Sequence, residues 1–442
     1  MKKWNININE IVRMIKEKKI LIVLSFLFGF GLITFAMTSC VKHEPKTILI
    51  VSGWQDVNIG DIAHTPGLIH VLETYLPETN YILWEKTPSD RVSEMLKKHY
   101  PKLKIIYGDV DKEGNVQSAE VLDAFQQADM MIHGSGPYVV GQPHLQAWVN
   151  NTDKPFGIFG VTIEVVNAAL KVLLEKASFI YTRETQSLKV LKEAGISGKH
   201  VSFAPDATFF LNIRDDENAK QFLKENGLEE GKFICAIPRL RLTPYFLIKR
   251  SSWSEKRIKE VEDYNNLRKE EDHMKLREAI IDWVRETGNK VLLCPEMTYQ
   301  VDIIDELLYD PLPEDVKAFV VRRGYWMTDE AASTYARSAG VVSFDCHSPI
   351  IAAANGVPFM YLRQPEDTSK GQMYYDLKFS DWIFEIEETK GVQISNRLRE
   401  IRLDESKSKQ KIKEQMKEIS NIYEQSCVVI NEILGYNKKC DE

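Results

Sequence analysis

From Ala128 to Asp206 the chain repeats one pattern, a short, mainly apolar run that stops at a cluster of small or charged residues. Ala128–Ile132 leads into His133-Gly134-Ser135-Gly136, and Phe156–Val161 leads into Thr162-Ile163-Glu164. Phe179–Thr182 ends at Arg183-Glu184, and Val201–Ala204 ends at Pro205-Asp206. Strands covered by helices on both faces read as continuous apolar runs, so this is the pattern of a buried parallel sheet. Thr185–Ala194 supplies one covering helix, with Leu188, Val190 and Leu191 at helical spacing and Gly195 placed as a C-cap. In such sheets ligands bind beyond the carboxyl ends of the strands, which is where the polar clusters fall.

The pattern extends in both directions. Thr47–Val51 runs into Ser52-Gly53-Trp54 and then Asn58-Ile59-Gly60-Asp61, with a helix expected over Thr65–Tyr75 and strands over Tyr81–Trp84 and Lys104–Tyr107. A second series begins at Phe233–Ile237, which ends at Pro238-Arg239-Leu240-Arg241. It continues with Val291–Cys294 into Pro295-Glu296, Ala318–Val321 into Arg322-Arg323, and Gly340–Phe344 into Asp345-Cys346-His347. Ser348–Gly356 is expected as the next helix and Phe359–Leu362 as the next strand, while Lys249–Asn289 is dense in charge with apolar residues at helical intervals. The division that follows is a leader over 1–40, an α/β domain over 46–212, a linker over 213–231, a second α/β domain over 232–390, and a helical tail over 391–442. The fold class is α/β: two Rossmann-like parallel-sheet domains facing a cleft, as in glycosyltransferases of the two-Rossmann type. Apolar positions from Leu398 to Tyr423, mostly three and four apart, predict that the tail packs back across the domains.

A chain of 442 residues that is 44% hydrophobic can bury a large core, and its length favours two domains. A net charge of −7 argues against nucleic acid as a partner, because phosphate binding comes with a basic stripe. The basic run Lys407–Lys417 is interleaved with Glu414 and reads as a solvated helix face. At the amino terminus, Lys2, Lys3, Arg13, Lys16, Lys18 and Lys19 precede an apolar run from Ile20 to Met37, followed by Thr38-Ser39-Cys40. Small residues directly before a Cys are similar to a bacterial lipoprotein signal, with acylation at Cys40; the alternative is an uncleaved signal anchor. Either places the rest of the chain outside the cytoplasm, tethered to the membrane of the cell envelope. Cys235, Cys294, Cys346, Cys427 and Cys440 contain no Cys-x-x-Cys pair, so no zinc site or disulfide framework is expected, although a disulfide from Cys346 remains open.

In order along the chain, Asn58-Ile59-Gly60-Asp61, Gly134-Ser135-Gly136, Arg183-Glu184-Thr185-Gln186-Ser187, Pro205-Asp206 and Ser343-Phe344-Asp345-Cys346-His347 resemble the signature of the polysaccharide pyruvyl transferase family. The resemblance spans Lys46 to Glu388 and implies transfer of a pyruvyl group from phosphoenolpyruvate onto two sugar hydroxyls as a cyclic ketal, with phosphate released. Phosphoenolpyruvate is then a co-substrate, no further cofactor or metal is expected, and the partner is an envelope or extracellular polysaccharide. In the family pattern an Arg stands two residues before the His; here Asp345 occupies that place, opposite in sign to what an anionic donor needs.

The candidate catalytic residues are His347, as acid or base near the transferred group, and Asp345 beside it. His347 has the alternative of satisfying the amino terminus of the next helix. Gly60 and Asp61 offer backbone N–H groups and a carboxylate at a helix start, suited to a phosphate, unless Asp61 only caps that helix. His133, Gly134, Ser135 and Gly136 make a loop of similar kind, and Arg183 is either a donor clamp or an internal ion-pair partner. Arg239 and Arg241 are the cations positioned to replace the missing Arg. Two alternatives from other classes stand: a non-catalytic carbohydrate-binding lipoprotein, favoured by Asp345 and the export signal, and a glycosyltransferase using a nucleotide sugar. Phosphoenolpyruvate is made in the cytoplasm, so the leader is at odds with that donor.

Overall fold

The computed structural model describes residues 44–248 and 253–435, together with Asn9 and Arg13. The leader 1–40 and the tail's last residues, with Cys40 and Cys440, lie outside the described residues apart from those two. Among the described residues no helix is long and apolar enough to cross a membrane.

Two parallel sheets carry the chain. The first contains β1 (Thr47–Ser52), β2 (Asn80–Glu85), β3 (Lys104–Ile106), β4 (Met130–His133), β5 (Phe156–Val161), β6 (Phe179–Thr182) and β7 (Val201–Phe203), in the order β3-β2-β1-β4-β5-β6-β7. The second contains β8 (Phe233–Ile237), β9 (Lys290–Leu293), β10 (Val320–Arg322), β11 (Gly340–Ser343), β12 (Phe359–Arg363) and β13 (Ile383–Glu385), in the order β10-β9-β8-β11-β12-β13. Side chains alternate between the two faces of each sheet. Ile48 and Ile50 of β1 join Cys235 and Ile237 of β8 in one apolar cluster between the sheets, while Leu49 and Val51, and Ile234 and Ala236, enter separate outer clusters.

Strand order reverses between β1 and β4 in the first sheet and between β8 and β11 in the second, and a crevice opens outside the strand ends at such a point. Register puts Val51 beside His133 and Ile237 beside Ser343. The segments that follow these four strands carry Asn58–Asp61, His133–Gly136, Arg239–Arg241 and Asp345–His347, so both crevices are lined by the clusters singled out in the sequence. The two halves touch there directly: the Ile59 amide donates to the Glu296 carbonyl at 3.0 Å, and the Thr298 amide donates to the Val57 carbonyl at 3.0 Å.

Several boundaries differ from expectation. The first helix spans Ile59–Tyr75, beginning six residues before Thr65 and continuing through Pro66. Asn58 starts it early by accepting from the Gly60 and Asp61 amides at 2.7 and 3.3 Å. The expected linker 213–231 holds the helix Asp216–Glu225 and is packed: Ile213, Ala219 and Leu223 are buried, and Arg214 donates to Asn355. The charged region resolves into one 33-residue helix, Glu255–Thr287, ended by Gly288 at φ +65. The tail forms two helices, Gly391–Leu403 and Glu405–Ile433, broken at Asp404. It does pack back on the first half, burying Ile412, Ile419, Tyr423 and Ile430, with the Tyr423 hydroxyl donating to the Asp206 carbonyl at 2.7 Å.

Candidate active site

His347 is the first residue of the helix His347–Ala354, directly beyond β11, and its ring lies against the first helix of the other half. A Cβ placed on Gly60 would lie 2.2 Å from His347 Cγ, so only glycine admits the imidazole there. The close approach for which Gly60 is needed is therefore to a side chain of this protein. The amides at this helix start are taken by Asn58, which corrects the expectation of a free phosphate cradle at Gly60 and of Asp61 as the cap. Asp61 is buried and accepts from the Gln55 side-chain amide.

Around His347 four further groups converge. His347 Nδ1 lies 3.1 Å from Glu296 Oε1, and Glu296 Oε2 accepts from the Ser348 amide and hydroxyl at 2.6 and 2.8 Å. Its Nε2 lies 3.1 Å from His64 Nε2, and His64 Nε2 in turn lies 3.2 Å from Asp206 Oδ2. Asp206 Oδ2 also accepts from Arg183 at 2.9 Å, and the Arg183 Nε–H donates to Thr162 at 2.8 Å. Burial alone would push the Asp206 carboxyl up, but His64 and Arg183 hold it well below the usual carboxylate range. Burial also opposes charge on His347, yet neighbouring Cys346 and Glu296 hold it well above the ordinary imidazole value. Arg183 is thus the internal ion-pair partner: it is 1% exposed and both of its contacts are within the first half.

A second cluster lies on the β8 side. Arg239 Nε is 3.1 Å from Asp345 Oδ1, its NH1 pairs with Asp367, and Lys370 Nζ is 3.4 Å from Asp367 Oδ1. Burial pushes Asp345 up to about 7, Glu296 adds to this, and Arg239 and Lys370 oppose it. Tyr245 borders both halves: burial raises its hydroxyl, Asp61 raises it further, and Lys370 and Arg239 act the other way. Arg241 is turned away from these groups. It makes a two-point pair with Asp272 at 2.8 Å on each arm and a third contact to Glu387 at 2.8 Å, so it is a structural ion pair and not a cation free for a donor.

The glycine loop is likewise a brace. Gly141 donates to His133 Nε2 at 2.9 Å, His133 Nδ1 donates to the Gly134 carbonyl at 2.7 Å, and burial drives the imidazole down to about 3, so it stays neutral. Ser135 Oγ accepts from the Ala207 amide at 3.1 Å, and Gly134 and Gly136 let the loop close on Ser52 and Trp54. This corrects the expectation that His133 and Ser135 present donors to a ligand. Cys235, Cys294, Cys346 and Cys427 are buried free thiols, so Cys346 forms no disulfide among the described residues. Asp206 and Glu296 stand in strand-end clusters legible in the sequence but were not singled out as site residues, and nothing in the local sequence of His64, Gln300 and Lys370 distinguishes them; only the fold brings these groups to His347 and Asp345.

A sequence model of polysaccharide pyruvyl transferases matches residues 58–364, well over half of the chain. The chain belongs to the polysaccharide pyruvyl transferase family. No curated protein matches it. Among solved structures, it is similar in fold to a UDP-N-acetylglucosamine 2-epimerase of Listeria monocytogenes, described as putative (12% identity, TM-score 0.57, covering 90% of this chain and 98% of that one). It is similar to the Neisseria meningitidis UDP-GlcNAc 2-epimerase bound to UDP-GlcNAc (11%, 0.56, 88% and 100%) and to Staphylococcus aureus MnaA with UDP (13%, 0.54, 88% and 96%). At these identities the likeness is one of fold, and it matches the two-Rossmann architecture read from the sequence. The pyruvyl transferase match covers both halves and ends at Gln364, so it includes Asp61, Asp206, Arg239, Glu296, Asp345 and His347, while Asp367 and Lys370 follow it.

Proposed function

We propose that this member of the family transfers a pyruvyl group from phosphoenolpyruvate to a pair of hydroxyls on an envelope or extracellular polysaccharide, forming a cyclic ketal and releasing phosphate. The observation that carries this reading is that strand ends of both sheets meet directly, with Arg239 and Lys370 beside the Asp345 that replaces the family's Arg. Asp345 is matched by the Arg239 guanidinium at 3.1 Å, so its charge is met from the neighbouring strand end. A guanidinium and an ammonium suit the donor's carboxylate and phosphate, which would compete with Asp345 and Asp367 for Arg239 and Lys370, each charge-assisted hydrogen bond contributing about 1.5–3 kcal/mol. Tyr245 lies near Asp61, Lys370 and Arg239, and a phenol and a carboxylate there suit sugar hydroxyls. The chain works from the outer side of a membrane, tethered through its leader at Cys40 or by an uncleaved anchor, and its donor must reach it there.

Thermal unfolding with phosphoenolpyruvate tests the donor. Saturation at a hundredfold above the dissociation constant stabilises by about 2.7 kcal/mol. The reading expects a shift that equal inorganic phosphate does not give and that Lys370→Ala reduces. No shift with a folded protein removes the donor. Asp345 favours a second reading, a glycan-binding protein without transfer, which expects stabilisation by oligosaccharide alone. A shift with UDP only would instead indicate a nucleotide-sugar enzyme.

A further inference from the structure

The three atoms His64 Nε2, His347 Nε2 and Asp206 Oδ2 form a triangle with sides of 3.1, 3.2 and 4.0 Å. A point in its plane lies about 2.0 Å from all three corners, the length of a bond from a zinc-class ion to imidazole nitrogen or carboxylate oxygen. His64 and Asp206 are fully buried and His347 is 7% exposed, so the three ligand atoms converge in a dry interior and not on a flexible surface. We propose that these residues bind one divalent first-row transition ion. The cysteine spacing pointed away from a metal; the ligands here are two imidazoles and a carboxylate, contributed by the first helix, the segment after β7 and the segment after β11.

The groups around the triangle fit that role. At 3.1 Å only one of the two Nε2 atoms can carry a proton between them, and an ion that displaced that proton would be held by both nitrogens. Glu296 Oε1 accepts at His347 Nδ1, the outer carboxylate contact that fixes the tautomer of a metal-bound histidine, and the absence of a Cβ on Gly60 fixes the ring's position. His64 Nδ1 has no such partner among the described residues, so the support is one-sided. Arg183 faces the same Asp206 oxygen at 2.9 Å, which a carboxylate oxygen with two lone pairs can share with an ion. Asp206, Glu296 and Arg183 sum to one negative charge, and a divalent ion makes the sum positive. The site would then attract an anion such as a phosphate or carboxylate, restoring the sign that Asp345 removes. His347 serves as a ligand in this arrangement, and the acid or base expected of it lies elsewhere. The inference is independent of the transfer reading, since a metal can be present whatever the substrate.

Two imidazoles and one carboxylate leave coordination positions open and suit Zn2+, Co2+ or Fe2+. The test uses the full-length chain purified in detergent without chelator. Elemental analysis should find about one such ion per chain, by the stoichiometry of one three-ligand site. After stripping, Zn2+ titrated against a chromophoric chelator should bind saturably and raise the unfolding temperature, and Co2+ should give visible d–d absorption. His64→Gln should abolish saturable binding. Glu296→Gln, which keeps all three ligands, should weaken it about 10–100-fold. Near-UV circular dichroism establishes that each variant is folded. If the folded stripped chain binds neither ion, the triangle is held by protons alone and the inference is wrong. Zn2+ binding that survives His64→Gln unchanged would place the ion elsewhere and overturn it equally.

Discussion

Replacing Gly60 by Ala puts a methyl group where the His347 ring now sits, and the consequence can be worked out in both directions. At the second position of a helix, Ala is intrinsically favoured over Gly by about 1 kcal/mol. Against this, the new Cβ would lie 2.2 Å from His347 Cγ and 2.3 Å from its Cβ and Nδ1, far inside contact distance. His347 cannot simply step aside, because it is held by Glu296 at 3.1 Å and faces His64 at 3.1 Å. Overpacking of this kind costs about 1–3 kcal/mol, so the net effect of Gly60→Ala is a destabilisation of up to about 2 kcal/mol. In a His347→Gly background the clashing atoms are gone, and the same substitution should become neutral or stabilising. Urea unfolding of the four proteins closes a double-mutant cycle whose coupling should be about 2 kcal/mol. Additivity, with Gly60→Ala equally harmful in both backgrounds, would refute the claim that the glycine exists to admit the imidazole.

Three further outcomes follow from the same contacts. Burial depresses His133 to about 3 and His144 and His273 to about 4, so all three are neutral in the folded chain and charge on unfolding. Their contribution is complete above the unfolded value near 6.5 and is lost as pH falls toward the folded values, with a slope approaching 4 kcal/mol per pH unit; urea midpoints unchanged from neutrality down to about pH 5 would contradict this. Gly160 has φ +71 and a Cβ there would lie 2.6 Å from Ser135 Oγ, so Gly160→Ala should destabilise by about 2 kcal/mol or more in the same assay. Arg241→Ala leaves Asp272 buried without its two-point partner and should cost about 3 kcal/mol or more, while any phosphoenolpyruvate-dependent shift persists.

The strands were the most legible part of the sequence because a parallel strand buried on both faces has no choice but to be apolar. Phe156–Val161, Phe179–Thr182 and Phe233–Ile237 appear with their expected bounds. Ile383–Glu385 was not legible, since three residues at a sheet edge carry too little pattern. The early helix start at Ile59 was hidden by Pro66, which reads as a first-turn residue, and the side-chain cap from Asn58 decides otherwise. His347 and Asp345 stood out by their place at a strand end. Which groups they meet was not legible, because His64 lies 283 residues from His347 and Glu296 lies 51 residues away. Arg241 and the His133 loop show the converse: residue types suited to a ligand, at strand ends, engaged instead by neighbours such as Asp272 and Gly141 that no local spacing relates to them.

The most direct test of the pyruvyl transfer reading is the product itself. The full-length chain in detergent would be incubated with phosphoenolpyruvate and polysaccharide from its own envelope, and the glycan examined by NMR for a ketal methyl group alongside phosphate release. The account predicts a new ketal methyl resonance, appearing in step with phosphate and only when all three components are present. Phosphate release without ketal, or neither across acceptors that the protein demonstrably binds, would contradict it and leave a glycan-binding protein on a transferase fold.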